Sequence, residues 1–180
     1  ADPTADVDGH DAARKIAILS SIAYKGFVDY KDVKCTGIRK ITSEDHKFAE
    51  KAGYAIKLIG RSRLADGKVS ISVEPLLLPG TNLLSAVNSV FNAGLVKGTY
   101  IGDTLFYGAG AGKLPTASAV VGDVIEILGN PTEATLPDFT EKNAVINTAD
   151  ASKSKKFIRF ASRANAFDVE KLVAGELSGT

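Results

Sequence analysis

Two long runs of alternating side chains, Tyr54-Ala-Ile-Lys-Leu-Ile-Gly-Arg-Ser-Arg-Leu64 and Lys68-Val-Ser-Ile-Ser-Val-Glu-Pro-Leu-Leu-Leu78, constrain this chain more than any other feature. Period-two patterning belongs to strands, and Ala65-Asp-Gly67 between the runs is a hairpin turn signal. Val69, Ile71 and Val73 fall on one face of the second run, and Lys68, Ser70 and Ser72 on the other. An apolar sheet face has to be covered by another layer. Pro75, which has no N–H to give, places this strand at an edge or marks where it leaves its ladder.

Helical patterns on either side supply the cover. Residues 9–24 carry Ile16, Leu19, Ile22 and Ala23 at helical spacing, and Gly26 ends the pattern. Asp8 is the expected N-cap, with Asp11 three residues later in a capping-box position. Residues 34–38 alternate weakly and read as a short strand, and Thr42-Ser-Glu-Asp45 opens a second helix that Gly53 stops. After a loop at residues 79–82 and a short apolar turn at 83–87, residues 90–97 and 102–107 are two further strand candidates. Residues 116–128 form another helix, with Pro115 at its first position. The short connections predict an α+β fold, a mixed, largely antiparallel sheet with helices packed on one face. From Asn130 onward the chain turns polar and proline-containing, so 1–129 reads as the domain, 130–154 as a linker and 155–180 as a C-terminal tail.

Composition excludes several function classes. The net charge is +1, and no basic stripe interleaves with aromatic residues, so no nucleic acid partner is expected. The longest apolar runs are too short for a bilayer, no stretch has a signal-peptide layout, and no membrane partner is expected. A single cysteine, Cys35, excludes an internal disulfide and fits a reducing, cytoplasmic compartment. It reads as a strand cysteine, since no histidine lies near it in sequence to make it a nucleophile. His10 and His46 are not in metal-ligand spacing, so no metal is expected. The chain contains no methionine, even at its start, which reads as a piece of a longer protein.

Chemistry concentrates in two stretches. In the first fifteen residues Asp2, Asp6, Asp8 and Asp11 precede Lys15, and Asp11 and Lys15 stand one helical turn apart. On an exposed face such a pair contributes only about 0.3 to 0.5 kcal/mol and is ordinary helix dressing. The density of acids around one lysine counts against that reading without overturning it. The second stretch, Gly108-Ala-Gly-Ala-Gly-Lys-Leu-Pro115, runs from a strand into a helix with little side-chain bulk. Bare backbone there lets a ligand approach, and exposed amides at a helix start favour an anion or a carbonyl oxygen. Lys113 stands where a dinucleotide fingerprint needs its third glycine, and Tyr107 and Leu114 break a P-loop. By pattern alone, a close-packed turn and a ligand loop are equal readings.

Together, Asp2-Pro-Thr-Ala-Asp-Val-Asp-Gly-His-Asp-Ala-Ala-Arg-Lys15 and Phe106-Tyr-Gly-Ala-Gly-Ala-Gly-Lys-Leu-Pro-Thr-Ala-Ser-Ala-Val-Val-Gly-Asp123 closely resemble the substrate-domain motifs of homoserine dehydrogenases. Gly37-Ile-Arg-Lys-Ile-Thr42 and Val90-Phe-Asn-Ala93 match the family between them, so the resemblance covers residues 1–129. It implies reversible reduction of L-aspartate 4-semialdehyde to L-homoserine with NADP or NAD, on the route to threonine, methionine and isoleucine. It implies Lys15 as the proton-transfer residue, Asp11 and Asp6 as substrate-binding acids, and Gly110 and Gly112 as the backbone nearest the cofactor.

The family also implies a homodimer formed through this domain's sheet, and an N-terminal Rossmann domain that binds most of the nucleotide. That domain is not in this sequence, so the chain is expected to be inactive alone. Residues 155–180 stand where a regulatory ACT domain would begin and match one poorly. The alternative is a non-catalytic homodimerisation or amino-acid-binding module of the same fold.

Overall fold

The computed structural model describes residues 2–129 and 143–147. The alternating runs pair as predicted. Strand β2 (Tyr54–Ala65) lies antiparallel to β3 (Lys68–Pro79) in unbroken register, from Ala65 opposite Lys68 to Tyr54 opposite Pro79. Asp66 and Gly67 both have positive φ, 51° and 72°, the backbone that a two-residue hairpin turn demands.

Val69, Ile71 and Val73 are 2%, 7% and 0% exposed and form the centre of the core. The helix that covers them is α2 (His10–Tyr24), which presents Ala13 and Ala17 to the same cluster. This corrects the expected apolar stripe: Leu19 and Ile22 are 58% and 50% exposed, while Ser20 and Ser21 are buried. Small side chains let the helix axis come close to the sheet. The two hydroxyls are satisfied inside the helix, Ser20 Oγ donating to the Ile16 carbonyl at 2.6 Å and Ser21 Oγ to that of Ala17 at 2.9 Å.

On the other edge of β3 lies β1 (Lys34–Cys35), a parallel strand of two residues. Its neighbour Thr36 donates N–H to the Val73 carbonyl at 2.7 Å. Farther along that edge, Val69 donates to the Val145 carbonyl and Asn147 to the Val69 carbonyl, both at 2.8 Å. Residues 143–147 therefore pack on the core, with Ala144 and Ile146 against it, although they fall within the stretch that composition assigns to a linker. The remainder of that stretch, apart from these five residues, and the 155–180 tail lie outside the described residues. Pro75 does not take β3 out of its ladder with β2, for it stays opposite Leu58. It lies beyond the last pair with β1, where proline costs that partner nothing.

Helix α3 (Ser43–Lys51) starts with a reciprocal cap: Thr42 N–H donates to Asp45 Oδ2 at 2.7 Å, and Asp45 N–H to Thr42 Oγ1 at 3.3 Å. The remaining strands, β4 (Phe91–Gly98) and β5 (Gly102–Ala109), form a separate antiparallel sheet of two. The fold is thus α+β with a mixed sheet and an antiparallel one, not a single sheet. Helix α4 (Lys113–Gly129) begins earlier than Pro115 suggested. Proline sits comfortably at its third position, since first-turn N–H groups have no acceptor inside the helix.

The two readings of α2 are separable by urea unfolding. Ala17→Leu is expected to lower stability by about 1 to 3 kcal/mol through overpacking. Leu19→Ala is expected to change it by less than about 0.5 kcal/mol.

Candidate functional site

The acid-rich N-terminus folds as two helices joined by an elbow. Helix α1 (Thr4–Val7) is a single turn packed against α2. Asp2 Oδ1 accepts from Thr4 N at 3.0 Å and Thr4 Oγ1 at 2.6 Å, and these bonds hold the Asp2 carboxyl below its ordinary value.

Asp8 is not the N-cap of α2. Gly9 takes that position, at φ 83° and with no side-chain cap. The Asp8 carboxylate turns instead to Arg39, whose Nε and Nη2 donate to Oδ1 and Oδ2 at 2.8 and 3.0 Å. This bidentate bond is the main reason the Asp8 carboxyl is held below the usual range.

Backbone contacts close the same joint. Ile38 donates N–H to the Val7 carbonyl at 2.8 Å, and Cys35 Sγ donates to the Asp8 carbonyl at 3.2 Å. A β-carbon on Gly37 would overlap the Val7 carbonyl oxygen and Asp8 Cα, and one on Gly9 would lie 2.9 Å from Cys35 Sγ. Two glycines thus let residues 7–9 lock onto residues 35–39. Burial, and then the Asp8 charge, push the Cys35 thiol up, which suits a structural group and not a nucleophile.

On this fixed elbow, Lys15 Nζ stands 2.7 Å from Asp11 Oδ2, with the side chains 63% and 43% exposed. Asp6 is exposed on α1, and its carboxylate has no hydrogen bond or ion pair among the described residues. Arg14 is engaged elsewhere, its guanidinium 5.3 Å from the centre of the Tyr30 ring. The arrangement presents one ammonium and two carboxylates to solvent.

The Gly-rich turn is built separately. Gly110 donates N–H to the Val90 carbonyl at 3.1 Å, and the Asn92 side chain fills the space a β-carbon on Gly110 would need. Gly112 has φ 125°, a conformation that favours glycine, and its carbonyl accepts from Thr116 N at 3.1 Å. The backbone from Gly108 to Gly112 is exposed beside an open, apolar depression of about 400 Å³ lined by Phe106, Tyr107 and Asn92. The described hydrogen bonds and ion pairs join Asp11 to Lys15 but do not join the turn to Asp6, Asp11 or Lys15.

Sequence reading did not assign the Asp8–Arg39 clamp; its only signal was a glycine two residues before an arginine in Gly37-Ile-Arg39. Among the described residues no group of His, Cys, Asp and Glu side chains is arranged to hold a metal ion. No described helix is long and apolar enough to cross a membrane.

A family model described as homoserine dehydrogenase matches residues 1–125. A homoserine dehydrogenase of Bacillus subtilis is 49% identical over 130 residues, 72% of this chain and 30% of that relative. The structure of a homoserine dehydrogenase from Thiobacillus denitrificans matches with TM-score 0.71 at 38% identity, covering 81% of this chain and 36% of that one. That of a hyperthermophilic archaeal homoserine dehydrogenase in complex with NADPH matches with TM-score 0.56 at 29% identity, covering 72% and 35%. The chain spans about 30% of the length of the Bacillus relative.

The clamp has a pH signature. A carboxyl depressed in the folded state contributes stability that is complete above its unfolded value, about 3.9, and is lost as pH falls through the folded value. The difference in Tm between the wild type and Asp8→Asn is therefore expected to be constant from pH 7 to 5 and to shrink below about pH 4. Thermal melts across that range measure it.

Proposed function

This chain belongs to the homoserine dehydrogenase family, and on that premise we propose that residues 1–129 supply the substrate-binding, catalytic and dimerisation part of an enzyme interconverting L-homoserine and L-aspartate 4-semialdehyde with NADP or NAD. The observation that carries this reading is the Asp11–Lys15 pair, held at 2.7 Å on a clamped elbow with the exposed carboxylate of Asp6 nearby in sequence. An exposed pair is worth too little for stability to explain so much scaffolding. NADPH, named in the archaeal relative's complex, is the nucleotide we carry over to this chain as the leading candidate.

When bound, the nicotinamide nucleotide supplies or takes the hydride, and Gly110 and Gly112 are the residues of this chain that would lie against it. The remaining work falls to side chains. As negative charge grows on the aldehyde oxygen, the Lys15 ammonium stabilises it and gives up one proton to form the alcohol. Lys15 is 63% exposed, so solvent restores that proton. In the opposite direction the neutral amine takes the alcohol proton. Asp11 fixes the position of Nζ through one oxygen, and its other oxygen and Asp6 accept from the substrate's ammonium.

The second half of the domain supports assembly as a homodimer. On α4, Val121, Val124, Ile125 and Leu128 are all exposed and recur at one-turn spacing. Phe106 and Val96 on the β4–β5 sheet are exposed as well. Exposed apolar side chains recurring along one helix support the interface reading. The lone thiol of Cys35 suits a reducing, cytoplasmic compartment.

Two measurements test this. The chain alone is expected to show no turnover of homoserine, and the complete enzyme, this chain together with a Rossmann domain, to show it. In that enzyme Lys15→Ala is expected to lower kcat about a hundredfold or more; a wild-type rate removes Lys15 from the mechanism. Sedimentation is expected to show a dimer that Val124→Asp with Leu128→Asp converts to monomer.

A further inference from the structure

Lys57 lies in β2 opposite Leu76 and sends its ammonium out of the three-stranded sheet to the segment that leads into β4. Its Nζ donates to the Val87 carbonyl at 2.6 Å and to Asn88 Oδ1 at 2.6 Å. The Asn88 amide is used at both ends, since Nδ2 donates to the Ala86 carbonyl at 3.2 Å. This segment needs holding. Ser89 has φ 60°, a left-handed conformation that residues with a β-carbon adopt only at a cost, and it turns the chain into β4.

From that turn a short path leads to the Gly-rich stretch. Val90, next to Ser89, accepts the Gly110 N–H at 3.1 Å, and Asn92 packs into the space beside Gly110. Val90 and Asn92 together form the seat of Gly110, and Gly112 follows two residues on with φ 125°. Val87 and Asn88 are thus linked to Gly110 through Ser89 and Val90.

We infer that Lys57 is a positioning residue for the Gly-rich turn, its ammonium pinning Val87 and Asn88 so that the backbone of Gly110 and Gly112 is presented at one fixed height to the nicotinamide nucleotide. This rests on the reading of that turn as cofactor-facing. Lysine suits the task because one compact charge with three donors meets a carbonyl and an amide oxygen together. Methionine keeps the stem and leaves both oxygens without a donor, whereas arginine keeps the charge and the donors.

The test is the kinetics of the complete enzyme. Lys57→Met is expected to raise the KM for NADP about tenfold, with kcat at saturating nucleotide and the KM for homoserine within about twofold of wild type. Lys57→Arg is expected to recover most of that loss. Gly112→Ala, strained at its φ, is the reference for disturbing the turn directly and is expected to raise the same KM. If Gly112→Ala raises it and Lys57→Met does not, Lys57 has no positioning role. If neither moves it, the cofactor-facing reading of the turn itself falls. An equal rise in both KM values also overturns the proposal, since it marks general loosening. Should Lys57→Met fail to fold, Asn88→Ala removes one acceptor and leaves the ammonium, and it is expected to raise the nucleotide KM about threefold. An unchanged value there is equally fatal.

Discussion

Asp8 ties the entry of α2 to residues 35–39. Its carboxylate grips Arg39 through two parallel hydrogen bonds, and its carbonyl takes the Cys35 thiol. Charge-assisted, bidentate bonds of this kind fix geometry as well as distance. Gly37 and Gly9 make the grip close, because any β-carbon at either place would meet backbone or sulfur. The consequence is a defined entry for α2. Asp11 and Lys15, an exposed pair with little energy of its own, inherit their position from this joint.

The two halves of the domain manage apolar surface in opposite ways. The first half buries one sheet face, with α2 laid close on Val69, Ile71 and Val73 through alanine and serine, while Leu19 and Ile22 stay exposed. The second half leaves it open: α4 carries valine, isoleucine and leucine on its exposed surface, and the β4–β5 sheet exposes Phe106 and Val96. That hairpin and helix also frame the Gly-rich turn. Assembly and cofactor contact, as proposed, therefore share one scaffold, tied to the core sheet through Lys57.

Much of this was legible in the residues. The hairpin, its turn, the start of the second helix at Thr42 and the C-terminal end of α2 follow from short-range rules, because strand alternation, caps and positive-φ turns depend on neighbours in sequence. The family motifs at both ends also picked out the Asp11–Lys15 pair and the Gly-rich turn. What was not legible depended on distant partners. Asp8 looked like a cap because nothing local reveals that Arg39 competes for its carboxylate. The stripe of Leu19 and Ile22 looked like the core face because hydrophobicity was the guide, whereas close helix-on-sheet packing selected Ala13, Ala17 and Ser20. Residues 143–147 looked like linker because polar composition cannot report an edge bond to Val69.

The sequence by itself determined the class of fold, the long hairpin, the family and the one ammonium among acids that the proposed chemistry needs. These are properties of period, turn chemistry and local motif, each written within a few residues. Only the tertiary structure decided that the strands divide into two sheets, that an aspartate far from Arg39 in sequence clamps the elbow, and that Lys57 reaches across to the turn preceding β4. Those outcomes turn on which partners arrive from elsewhere in the chain. Such competition is settled by packing in three dimensions.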